Sequence, residues 1–179
     1  MRGCLIMLVD GDGINDPSGS VQVLDWYSRK QPHVCRSTFA AELHAALDAV
    51  NQGIVIQGLL TETELGAMTA AQLCDLQTAG RLSVALHLCI DAKSVFDSVT
   101  TDKPATPNDK HLLVHCLMLR EFLHGGLLSV IWWIDTLDML SGGPTKRVID
   151  RTAILALLEK CSWRICGQTP ARWPKSDHR

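Results

Sequence analysis

Unbroken apolar stretches in this chain are short and end at turn formers or acidic residues, and that punctuation limits its folds more than any other feature. Leu5 to Val9 runs into Asp10-Gly-Asp-Gly13, and Val130 to Ile134 runs into Asp135. Five apolar residues in each run are strand length, far below the roughly 20 needed to cross a bilayer. Between such runs the apolar period becomes helical, so strands and helices alternate along the chain. That order predicts an α/β fold built on one layered sheet.

The first run, from Gly3 to Val9, reads as a strand entering a turn. Asp16-Pro-Ser-Gly-Ser20 is a second turn cluster, and Val21, Val23 and Trp26 then give a half-buried strand ending near Tyr27. A hairpin is therefore expected. Ser37 or Thr38 can cap a helix whose Phe39, Leu43, Ala46, Leu47 and Val50 make one apolar face. A second helix is predicted over about Glu62 to Gln77, stopped by Gly80. Ser83 to Ile90 alternates like a central strand with Asp91 at its C-terminal end, and a short helix follows through Val95 and Val99. Residues 102–109, with Pro104 and Pro107, read as a loop. Lys110 to His124 is an amphipathic helix closed by Gly125-Gly126, Leu127 to Ile134 a strand, and Val148 to Lys160 the last helix. These elements make one domain over residues 1–160. Residues 161–179, with Pro170 and Pro174, are expected to be a disordered basic tail.

A length of 179 residues leaves room for one domain, and 46% hydrophobic against 20% charged residues excludes a disordered or coiled-coil chain. No membrane span and no signal-peptide core is visible, which points to an intracellular protein, cytoplasmic or nuclear. Seven cysteines without a C-x-x-C pair signal neither a disulfide framework nor a zinc ribbon. The net charge of -2 conceals an asymmetry: residues 1–102 hold 6 Lys/Arg against 12 Asp/Glu, and residues 103–179 hold 11 against 7. A metal-binding cleft beside a polyanion-binding surface fits that distribution, and so do two ordinary solvated faces.

Two carboxylates stand out by position. Glu42 lies in the first turns of a helix after the hairpin, and Asp91 ends the central strand. Ligands of open α/β sheets collect at the C-terminal ends of strands, so both could share a metal if the helix crosses the sheet there. The plainer alternative makes Glu42 a surface carboxylate and Asp91 the cap of the next helix.

Asp25-Trp-Tyr-Ser-Arg-Lys-Gln31 followed by Arg36-Ser-Thr-Phe-Ala-Ala-Glu42 resembles the strand-to-helix passage of the ribonuclease H domain of copia-type retrotransposon polyproteins, where "W-x-S-x-K-Q" leads to "S-T-x-A-E". Cys89-Ile-Asp91-Ala-Lys-Ser94 is similar to that family's strand ending in Asp. Lys110-His111 resembles its "K-H-I" element, and Ile134 to Leu140 with Pro144-Thr-Lys146 resembles its terminal segment. The series covers about residues 3–160 in the family's order.

The resemblance implies a ribonuclease H-like mixed sheet flanked by helices and a reverse transcriptase domain upstream in the parent polyprotein. It further implies hydrolysis of the RNA strand of RNA/DNA hybrids, with two Mg2+ or Mn2+ ions held by four acidic residues. Glu42 and Asp91 correspond to two of those ligands. Gly3 to Leu8 matches the family's second strand, so the chain is expected to lack the first strand and its Asp. Asp10 replaces that ligand only if Leu5 to Val9 is itself the first strand. Ser141-Gly142 stands where the family has Ala-Asp, and Asp138 lies a turn away. These departures imply a truncated, degenerate copy with impaired activity. Arg29, Lys30, His33 and Arg36 near the second strand's exit, and Lys110, His111, His115 and Arg120 on a later helix, suit phosphate contacts. A catalytically inactive module that binds nucleic acid or protein is the rival reading.

Other motifs lose their chemistry on inspection. Gly11-Asp-Gly-Ile-Asn-Asp16 copies the "G-D-G-x-N-D" string of haloacid-dehalogenase-type phosphatases, but no upstream nucleophile motif precedes it, and a hairpin turn explains the same residues. Trp132 and Trp133 would face opposite sides of a strand, which makes at least one of them core.

Overall fold

The computed structural model describes residues 2–10, 18–31, 34–101, 110–136, 138–142, 152–164 and 168–172. The first apolar run and the alternating stretch after it form an antiparallel ladder of β1 (Arg2–Asp10) and β2 (Gly19–Arg29). Ile6 faces Asp25 while Met7 faces Val23, so Leu24 is the extra residue of a bulge that bends β2. A Cβ on Gly19 would run into the Asp10 carbonyl oxygen, so glycine alone lets the strands close there.

Helix α1 (Thr38–Leu65) organises the rest. The Ser37 hydroxyl accepts the Ala40 N–H at 3.1 Å, an N-cap that contributes about 1 kcal/mol. Ala40, Leu43, Leu47, Val50, Gly53, Gln57 and Thr61 recur every three or four residues and form one buried stripe. The two helices expected here, one through Val50 and one from Glu62 to Gln77, are therefore redistributed. The break falls at Gly66, where φ is +90° and the N–H bonds the Glu62 carbonyl at 2.9 Å. Thr69 and Gln72 then form a capping box that opens α2 (Ala70–Thr78).

β3 (His87–Ile90) is shorter than the expected strand from Ser83. The Ser83 N–H donates to Thr61 Oγ1 at 3.3 Å, and the Val84 carbonyl accepts from Gln57 Nε2 at 2.6 Å. Side chains of α1 thus occupy backbone groups that a ladder would use. α3 (Lys93–Thr100) and α4 (Lys110–His124) lead to β4 (Val130–Ile134), which pairs parallel to β3 with Leu88 opposite Ile131. A 3-10 turn at Leu140–Gly142 precedes α5 (Thr152–Lys160).

The segment after Cys161, expected to be disordered, contributes β5 (Ser162–Trp163) and β6 (Gln168–Ala171). β5 pairs with β2, and β6 pairs antiparallel with β4, placing Trp132 opposite Pro170. Proline is admissible there because β6 is an edge strand, with no further strand beside it among the described residues. The free side of β4 is what gives this short segment its partner.

The single expected sheet is instead two three-stranded sheets, ordered β1-β2-β5 and β3-β4-β6. The class is mixed α/β, with five α-helices among the described residues. Both sheets touch α1. The main core joins Leu43, Leu47 and Val50 of α1 to Leu88 and Ile90 of β3, Val95 and Phe96 of α3, and Leu119 and Leu123 of α4. Among the described residues no helix is long and apolar enough to cross a membrane.

Candidate functional site

Contacts along α1 fix the direction of the strands above it. Thr61 meets Ser83, Gln57 meets Val84, and Gly53 lies against Leu86. β3 therefore runs opposite to α1 and delivers Asp91 toward the helix start, where Glu42 stands. β1 runs the other way: Arg2 forms an ion pair with Asp48, and Asp25, opposite Ile6, accepts from Gln52 Nε2 at 3.4 Å. β1 and β3 are consequently antiparallel to each other.

Between them lies a cavity of about 680 Å³, lined by Arg2 to Val9 of β1, Val84 to Asp91 around β3, and the Ala- and Gly-rich side of α1. Glu42, Asp91 and Ser141 all line it. Glu42 is exposed and Asp91 half-buried. The Asp91 carbonyl accepts the Trp133 indole N–H at 3.2 Å, and Lys93 Nζ sits 4.9 Å above the Trp133 ring. Trp132 is the core residue of the pair and Trp133 the one that braces the strand end. The cap position of α3 is Ala92, without a side-chain cap bond, so the Asp91 carboxylate does not cap that helix.

Asp10 is not brought to this place. Gln52 lies on the order of 15 Å along α1 from Glu42, and Asp10 is four residues past Ile6, roughly 13 Å more. Asp138 sits in the turn before Leu140, its N–H bonded to the Asp135 carbonyl at 3.0 Å. Among the described residues no three His, Cys, Asp or Glu side chains are placed to hold a metal ion. Glu42 and Asp91 are the acidic side chains among the residues that line the cavity.

The basic candidates gather at the same end. Arg29 and Lys30 are exposed where β2 leaves beside Arg2, with Arg29 stacked 4.5 Å over Tyr27. Arg36 is exposed immediately before the Ser37 cap, and exposed Lys110 and His111 open α4. His111 belongs to a cluster that sequence reasoning missed: ring centroids of His44 and His115 are 4.7 Å apart, and those of His111 and His115 4.5 Å. The i, i+4 spacing of His111 and His115 was the available signal. His44 joins them only through packing of α1 on α4. His33 and residues 11–16 lie outside the described residues.

The buried thiols are poor nucleophiles. Burial pushes the Cys89 thiol up to about 12, and raises Cys4 and Cys116 against weaker opposing hydrogen bonds from Tyr27 and Ser98. His87 is lowered, first by burial and then by Arg172. Its Nδ1 accepts the Trp132 indole N–H at 3.4 Å, an arrangement for neutral imidazole. The chain is thus a mixed α/β protein with a split sheet and an acidic pair at one end of the split. Comparison with protein-family models, curated proteins and solved structures finds no match.

Proposed function

We propose that the chain is a ribonuclease H-like module of retrotransposon descent that binds RNA/DNA hybrids and hydrolyses their RNA strand weakly at Glu42 and Asp91. One observation carries this reading. Glu42 and Asp91, far apart in sequence, line one cavity at the end of the molecule where Arg29, Lys30, Arg36 and Lys110 are exposed. The basic groups would hold backbone phosphates, positioning a strand without reading its bases. Glu42 and Asp91 would orient water at the phosphate to be cut.

Two carboxylates fit one Mg2+ or Mn2+ that keeps several waters, and they do not fit the bridged pair of ions that the family resemblance implies. When bound, such an ion supplies charge at the scissile phosphate and a more acidic water. The upstream reverse transcriptase domain and an intracellular site of action belong to the same reading. Gly142 stands where the family has its terminal Asp, and that missing carboxylate, beside cavity-lining Ser141, favours one alternative, a module that binds hybrid without cleaving it.

Purified chain is incubated with a hybrid labelled on both strands, with Mg2+ or Mn2+, beside Glu42→Gln, Asp91→Asn and Ser141→Asp. The expected result is slow loss of the RNA strand alone, abolished in the first two variants and accelerated in the third. Hybrid binding by a folded chain, with no cleavage in the wild type or in Ser141→Asp, would replace the nuclease with the binding module.

A further inference from the structure

We propose that the cleft between β1 and β3 is a strand-accepting site, which takes one extended segment of a partner polypeptide hydrogen-bonded to both sheets. The inference does not rest on nuclease activity. β1 ends one sheet and β3 ends the other, so among the described residues each presents an edge with no strand beside it. Both edges border the same cavity. Because the two strands are antiparallel, an inserted segment lies parallel to one and antiparallel to the other, and both ladders are ordinary ones.

The composition of the edges is that of interior strands. Cys4 to Val9 and His87 to Ile90 contain no Lys, Asp, Glu or Pro, the residues that normally blunt an exposed edge. A continuous apolar run such as Cys4 to Val9 suits a strand covered on both faces. Beneath the cleft, α1 offers the half-buried Ala41, Ala45 and Ala49, a floor of small residues that leaves depth for another strand's side chains. Gln57 adds a polar sign. It is only 5% exposed and lines the cavity, its Nε2 is taken by the Val84 carbonyl, and its Oε1 has no partner. A backbone N–H from an inserted strand would serve it.

Size agrees as well. A residue of strand occupies roughly 160 Å³, from about 3.3 Å of rise, 4.8 Å of strand spacing and 10 Å of sheet thickness. The 680 Å³ cavity therefore holds about four residues of strand, the length of β3. A small molecule cannot satisfy two rows of backbone groups. The described strands of the chain are each engaged in their own ladders, so a second copy could not donate one without opening its own sheet. The occupant is a separate extended peptide, apolar on the side facing α1.

The test uses the full chain and a capped nine-residue peptide alternating valine with threonine, with lysine at both ends. Hydrogen exchange is followed residue by residue, and sedimentation gives the stoichiometry. Binding is expected at one peptide per chain, slowing amide exchange in β1 and β3 together by about tenfold or more. Ala49→Leu, which fills the floor, is expected to weaken binding while the chain stays folded. A control peptide with proline at alternate positions should not bind. Protection confined to β2 or β6, equal binding of the proline peptide, or no protection at millimolar peptide would overturn the proposal. So would self-association that protects both edges without peptide, because the occupant would then be a second copy.

Discussion

Replacing Ala49 by leucine asks whether the floor of the cleft is open, and the sign of the stability change gives the answer. Ala49 lines the cavity and also packs against the main core. Leucine adds three carbons, worth up to about 2.4 kcal/mol at roughly 0.8 kcal/mol for each one buried. The cleft shields only part of them, so about half of that is expected, less about 0.5–1 kcal/mol for fixing the longer side chain. The net change is a stabilisation of about 0.5 kcal/mol. Ala40, on the same helix, is 5% exposed and does not line the cavity. Leucine there must displace packed neighbours, at a cost of about 1–3 kcal/mol.

The two variants should thus differ by about 2 kcal/mol, which separates their melting temperatures by roughly 4–8 °C in a chain of this size. Thermal unfolding by circular dichroism, with denaturant titration as a second measure, reads the difference directly. If Ala49→Leu melts as low as Ala40→Leu, the floor is already filled in solution, and the strand-accepting cleft is wrong.

Leu43 is fully buried against β3, α3 and α4, so Leu43→Ala should cost about 3 kcal/mol, whereas Leu59→Ala, 57% exposed on the same helix, should cost almost nothing by urea titration. His87 gives a pH signature: its folded-state pKa lies below the ordinary 6.5, so its contribution is complete above that pH and declines as pH falls through the lowered value. Melting temperatures from pH 7.5 to 5 should show that acid limb, and His87→Gln should flatten it; an unchanged limb would mean that the His87–Trp132 contact does not hold the imidazole neutral.

Legibility of this fold in its sequence depended on which residue types occupy inward positions. α4 has the bounds its period and closing glycines predict, because Leu112, Cys116, Leu119 and Leu123 keep the apolar stripe continuous. The middle of α1 defeats the same reading: Gly53, Gln57, Gly58 and Thr61 face inward there, and none announces itself as core. Gly58 is small because Leu73 of α2 comes against it, a Cβ there falling 3.1 Å from Leu73 Cδ2. β3 looked four residues too long, since alternation cannot reveal that Thr61 and Gln57 bind the backbone of Ser83 and Val84. The shared cavity position of Glu42 and Asp91 was legible from their places at a helix start and a strand end. Asp10 was not, because whether a strand end lies near or far from a helix start is decided by strand direction, which only long-range contacts fix.

The split sheet and the acidic pair meet along α1. Its alanines line the gap between β1 and β3, and Glu42 and Asp91 line the same cavity. A strand inserted in the cleft would run beside β3 as far as Ile90, the residue before Asp91, whose carbonyl the Trp133 indole holds from the other side. Ordering Asp91 in this way would lower the entropy lost when it engages a ligand. Strand binding and hybrid binding would then strengthen one another, and linkage requires the factor to be equal in both directions. Hybrid affinity measured with and without the valine-threonine peptide, and peptide affinity with and without hybrid, should therefore change by the same ratio. Unequal ratios would mean that the measured affinities do not belong to one closed cycle, and a ratio of one that the cleft and the acidic mouth act independently.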